Sequence, residues 1–189
     1  MGGFLFNLIS KSHLLMAYPP SIQSHDEILN TIENSFRSFA LRDIQVLRTC
    51  NPPVPIAVFI LGVCLIDQLA GFRFNSGATK ARFMDFVKTY MPGYNAESLA
   101  EDLRNKLVHN YSIGNEAYVL SDELSGFHLQ PIDPNSKSKV LDLSSFIADL
   151  EKAIEDYMGE IRSNPECRNN AIQWYSQNRI FVLSKIATS

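Results

Sequence analysis

Apolar positions along this chain fall into blocks of helical spacing, separated by short clusters of proline, glycine and asparagine. Ile28, Ile32, Phe36, Phe39 and Ala40 recur at intervals close to the turn of an amphipathic helix. Ser24 precedes them with Glu27 three residues on, the pattern of a capping box, which marks where such a helix starts. The spacing predicts a first long helix running to about Thr49. The stretch "NPPVP" ends it, because consecutive prolines remove donors and push their neighbours out of the α region. A second helix, from about Pro55 to Phe72, is apolar nearly all round, and a helix without a polar face belongs in the middle of a bundle. Cys64 inside it is expected to pack as a small hydrophobe.

After the turn "GFRFNSG", the segment "ATKARFMDFVKTYM" predicts a third helix with Phe83, Phe86, Val87 and Tyr90 on one side, ended by Pro92 and Gly93. A fourth helix begins near the N-cap Asn95, with Leu99, Leu103 and Leu107 as its buried stripe and Ala96 and Ala100 beside it. Gly114 is the expected C-cap. From Glu116 to Leu143 the pattern changes to short apolar pieces separated by turn formers, which predicts a small β-hairpin or extended excursion. Helical spacing returns in "LSSFIADLEKAIEDYMGEI", capped by Ser144 or Ser145, and a last helix, "PECRNNAIQWYSQNRIFVL", has Pro165 in its first turn. The expected fold is all-α: a bundle of about five or six helices, with a small β-hairpin insertion after the fourth, forming a single domain over residues 24–189.

Composition narrows the class. At 189 residues, with 46% of them hydrophobic, the chain has enough material for one domain with a sizeable core. The net charge of −3 does not advertise a nucleic-acid or membrane binder, although a small basic patch can sit on an acidic protein. The three cysteines, Cys50, Cys64 and Cys167, are far apart and belong to no Cys/His pattern, which argues against a disulfide framework or structural zinc and for a cytoplasmic protein. In "MGGFLFNLISKSHLLMAYPP" the lysine follows the apolar part, the wrong order for a secretory signal. Residues 1–23 therefore read as a disordered extension, with Met16 an alternative start. The run "VPIAVFILGVCLI", bounded by prolines and Asp67, is too short to span a bilayer, so no membrane partner is expected. His13, His25 and His128 have no companions at metal-ligand spacing, and there is no Gly-rich phosphate loop, nucleophile elbow or HExxH. No metal or cofactor is expected.

The chemistry concentrates in "RNKLVHNY", Arg104 to Tyr111, at the end of the fourth helix. At 100° per residue Asn105 and His109 share a face, while Arg104 lies ~140° from His109. One straight α-helix does not aim both at one small target; the arginine must curl round, or a second copy of the helix must supply the partner groups across a two-fold axis. Such a cluster suits phosphodiester cleavage in RNA without a metal. A proton must leave the attacking 2′-hydroxyl and another must reach the departing oxygen, and histidine does either near neutrality. A guanidinium, always charged and with forked donors, suits the negative charge of the phosphorane-like transition state. Asn105, one turn before His109, is placed to orient the imidazole or hold a phosphate oxygen.

Arg-Asn-x-x-x-His near the end of a helix in an all-α bundle resembles the R-x(4–6)-H signature of the HEPN superfamily (higher eukaryotes and prokaryotes nucleotide-binding domain). The extension His109-Asn110-Tyr111 looks like the HepT toxin branch, R-N-x-x-x-H-x-Y. The resemblance implies a helical protein, dimeric through the motif helices, and a metal-independent endoribonuclease of a toxin–antitoxin or defence system. Arg104 and His109 would be catalytic and Asn105 supporting. Tyr111 would be the site where a partner nucleotidyltransferase adds AMP, with that enzyme or an antitoxin as partner besides RNA and a second copy of the chain. Some members have lost catalysis and bind nucleotides or partners, which is the alternative function; a helical interaction scaffold with a coincidental motif is a third.

Three further features bear on the motif. Asp67 ends an otherwise apolar helix and needs a partner, which Arg104, His109, a backbone amide or a surface arginine would supply. Without chemistry, Arg104 would pair with Glu101 or Asp102 on its own helix. Arg73, Lys80, Arg82 and Lys88, offset by Asp85, make the third-helix region locally basic and are RNA-binding candidates.

Overall fold

The computed structural model describes residues 23–113 and 117–178. The expected N-terminal extension, including Met16, lies outside them apart from residue 23, and so does the tail of the last expected helix. The first helix, α1, runs over residues 25–49 as His25–Ser35 and Leu41–Thr49 joined by a π-helical turn, Phe36–Ala40. Its capping box is formed: the Ser24 hydroxyl accepts the Glu27 N–H at 3.3 Å, and the Glu27 carboxylate accepts the Ser24 N–H at 2.8 Å. Helix α2 is Pro55–Phe74, closed by Asn75 in the left-handed conformation (φ 53°), and α3 is Thr79–Tyr90. Helix α4 covers residues 96–110 as Ala96–Ser98, a π-helical run Leu99–Leu107, and Val108–Asn110. Helices α5 (Leu143–Ser163) and α6 (Pro165–Gln177) complete the bundle.

Helix α2 is the axis of the bundle and packs against all five other helices. Val58, Phe59, Val63, Ile66, Leu69 and Phe72 on it are almost wholly buried, each contributing about 1.5–3 kcal/mol relative to exposure. Two glycines permit the close approach of its neighbours. A Cβ at Gly62 would meet the Phe146 ring of α5 at 2.7 Å, and one at Gly71 would meet the Trp174 indole of α6 at 2.5 Å. By length and composition α2 is also long and apolar enough to cross a membrane, more than the run between the prolines and Asp67 implied, and 56% of that window is buried inside the bundle.

The expectation of a buried Cys64 is corrected, since this residue is exposed. The other helices cover α2 on every side but one, where Leu61, Cys64 and Gln68 face outward. Two cap assignments also change. The α5 cap is Asp142, whose Oδ2 accepts both the N–H and the hydroxyl of Ser145 at 2.9 Å, so the serine is a partner of the cap. Helix α4 ends at Asn110, before Gly114, which lies outside the described residues.

The β insertion is present after α4, but its strands, β1 (Tyr118–Ser121) and β2 (Lys139–Asp142), are parallel, which corrects the hairpin. Their register pairs Tyr118 with Lys139 and Ser121 with Asp142. The connection over residues 122–138 is long enough to return the chain to the same end of the sheet, as parallel pairing requires. Val140, Leu141 and Asp142 are successive and all buried, as in strands covered on both faces. The stretch around His128 joins the sheet through single bridges of His128 to Val140 and Pro131 to Lys139, and the Asp142 N–H donates to His128 Nδ1 at 3.1 Å.

Candidate functional site

The motif sits in a helix wound differently from the one its spacing predicts. Through Leu99–Leu107 the backbone is π-helical, and the Val108 N–H reaches back five residues to the Leu103 carbonyl. Such winding takes about 4.4 residues per turn, roughly 80° each; three of the five steps from Arg104 to His109 fall in this run and two in the α-helical turn that follows, so their separation falls from ~140° to about 80°. The extra turn width therefore moves the arginine and the histidine toward one side of the helix, within a single chain.

Arg104 is anchored from two directions. Its Nε donates to Asp67 Oδ2 at 2.8 Å across the α2–α4 contact, and its Nη1 donates to Asn105 Oδ1 at 2.8 Å. The Arg104 and Asp67 side chains are only 17% and 28% exposed, so the guanidinium is held rather than freely solvated. Neither Glu101 nor Asp102 is its partner. Asn105 instead donates to Glu101 Oε2 at 3.1 Å, and Glu101 forms an ion pair with Lys80 of α3. The result is one chain of polar contacts, Asp67–Arg104–Asn105–Glu101–Lys80, crossing three helices.

Burial pushes the Asp67 carboxyl above its ordinary pKa, against the pull of the Arg104 charge and hydrogen bond and the smaller effects of Arg82 and His109. The Asp67 Oδ1 atom is buried without a hydrogen-bond partner among the described residues, which makes ionisation costlier still. Glu101 is held below the usual carboxylate range, chiefly by the Lys80 and Asn105 hydrogen bonds.

His109 lies exposed in the last turn of α4, close enough to Asp67 for its charge to be felt there. Tyr111 follows in the left-handed conformation (φ 51°, ψ 36°), its N–H bonded to the Leu107 carbonyl at 3.1 Å, a position where glycine is usual. Its ring is 72% exposed. A bulky aromatic side chain in this conformation is strained, and it lies open to solvent.

The four basic candidates separate in the structure. Lys80 belongs to the polar chain described above. Arg82 lies near it: its guanidinium stacks 4.8 Å from the Trp174 ring and donates to the Gly77 carbonyl at 2.7 Å. Arg73 is 17% exposed and bound to Tyr90 and Glu160, inside the α2–α3–α5 contact. Lys88, in the last turn of α3, is 61% exposed beside Asp85. Sequence reasoning did not assign Glu101 its role as the hub between Asn105 and Lys80. The Glu101–Asn105 spacing of four was the available signal, whereas the Lys80 contact comes from another helix and has none. Comparison with protein families, curated proteins and solved structures finds no match to this chain.

Proposed function

We propose that this protein is a HEPN-like, metal-independent endoribonuclease that acts as a homodimer. The observation that carries the reading is the anchoring of Arg104: Asp67 and Asn105 hold its Nε and Nη1, while Nη2 has no partner among the described residues. A guanidinium fixed in this way meets developing charge without reorganising, the condition for strong electrostatic stabilisation. His109 stands exposed on the same helix, open to solvent and substrate.

In this reading the 2′-oxygen attacks the adjacent phosphorus while one His109 takes its proton. The bond to the 5′-oxygen breaks, and the partner copy's histidine protonates that oxygen, leaving a 2′,3′-cyclic phosphate and a 5′-hydroxyl. Arg104 stabilises the equatorial oxygens, and Asp67, Asn105 and Glu101 position Arg104. The uncovered face of α2 at Leu61, Cys64 and Gln68, next to Asp67, supports a second copy seated across the site. Tyr111, exposed and at the end of the motif, is the residue a nucleotidyltransferase partner would modify in a toxin–antitoxin setting.

The test is incubation of the purified protein with total cellular RNA in EDTA, beside His109→Ala and Arg104→Ala. Cleavage by the parent that both substitutions abolish supports the reading. Equal cleavage by all three would mark a contaminant. No cleavage by a folded dimer would leave a silent nucleotide- or partner-binding module as the better account.

A further inference from the structure

A groove of about 560 Å³ runs between the N-terminal half of α4 and the arm formed by the β insertion. Glu97, Ser98 and Glu101 line it from α4, and Tyr118, Lys137 and Lys139 line it from the arm. Its two walls differ in charge: the α4 side, which Lys106 also lines, has one carboxylate outside an ion pair, and the arm side has two ammonium groups. On the α4 side Glu101 is neutralised by Lys80, and Asp102, which also lines the groove, by Lys106 at 2.9 Å; Glu97 keeps its charge unpaired among the described residues. On the arm side Lys137 and Lys139 are exposed and have no ion pair among the described residues.

A ligand that is anionic along one edge and rich in hydroxyl and amine donors along the other fits these walls. Phosphate is drawn to the two ammonium groups and repelled by Glu97, while ribose hydroxyls and exocyclic amines donate to Glu97 and Ser98. The volume falls within the roughly 300–1,000 Å³ of small-molecule sites, room for a nucleotide unit but not for a duplex. Glu101 belongs both to this groove and to the chain that holds Arg104, so the two sites adjoin.

We propose that the groove binds a nucleotide of single-stranded RNA adjoining the cleaved phosphodiester, with backbone phosphate on Lys137 and Lys139. The proposal rests on the ribonuclease reading and adds the arm as the element that holds the strand. The experiment measures binding of a short fluorescein-labelled oligoadenylate by anisotropy, in EDTA, at stepped salt, on a His109→Ala background that does not cut. Lys137→Glu/Lys139→Glu is compared with Arg42→Glu/Lys152→Glu, which makes the same change in net charge at exposed positions away from the groove. The groove variant is expected to bind about tenfold more weakly or worse, with a salt slope shallower by about 1.4, while the control stays within about twofold of the parent. Equal loss in both variants, or in neither, would overturn the groove. Should charge reversal unfold the arm, Lys137→Gln/Lys139→Gln carries the same comparison. RNA cleavage by the protein with His109 intact is read in parallel. Cleavage with an indifferent groove refutes this inference alone, whereas neither cleavage nor binding by the parent refutes both.

Discussion

Replacing Arg104 by methionine keeps much of the side-chain volume in the α2–α4 contact and removes the charge that Asp67 faces. In the parent, burial already raises the Asp67 carboxyl and Arg104 is the first of the groups that pull it back. Without the guanidinium, a carboxylate 28% exposed is left with only the smaller effects of Arg82 and His109 against its desolvation. Breaking a fully buried pair costs about 3–5 kcal/mol and an exposed one well under about 1, so this pair, between those limits, should cost about 2 kcal/mol at pH 7. The cost depends on pH with a definite sign. A carboxyl whose folded pKa lies above its unfolded value binds more protons when folded, so stability falls as pH rises from the ordinary value through the raised one. Arg104→Met widens that window upward, and its deficit relative to the parent should therefore be larger at pH 7 than at pH 4. Urea unfolding at both pH values measures this, and Asp67→Asn/Arg104→Met should recover most of the loss at pH 7. A deficit that is the same at both pH values, or a double variant no better than the single one, would refute the account of a desolvated carboxylate held by Arg104.

His109→Ala should abolish RNA cleavage while leaving the urea midpoint almost unchanged, within about 0.5 kcal/mol, because the imidazole is exposed and makes no hydrogen bond among the described residues. Tyr111→Gly should raise the thermal midpoint by relieving a left-handed aromatic residue, a gain of up to about 1 kcal/mol offset in part by the looser unfolded chain; a clear loss of stability would show that the ring packs. Gly71→Ala should destabilise by about 1–3 kcal/mol, read by urea unfolding and Trp174 fluorescence, since its Cβ would lie 2.5 Å from the indole that docks α6.

The helix order, the capping box at Ser24, the Asn95 cap and the Leu99, Leu103 and Leu107 stripe were all legible in the sequence, because each depends on residues within one or two turns of one another. The motif Arg104, Asn105 and His109 was legible there as a pattern of residue types, and the structure joins the first two of them. Tertiary contacts decided the rest. A spacing of four apolar residues is compatible with both α and π winding, and the fit of α4 against α2 and α3 selects the wider turn that swings Arg104 toward His109. Whether β1 and β2 run parallel depends on where a long connection returns, and local propensity says nothing of that. Asp67 advertised its need for a partner in sequence; that the partner is Arg104, and that Glu101 and Lys80 extend the chain behind it, follows only from three helices meeting. Local pattern thus wrote the elements, while the distances that tie Asp67, Arg104, Glu101 and Lys80 together arise between segments far apart in the chain, where only packing brings charge to charge.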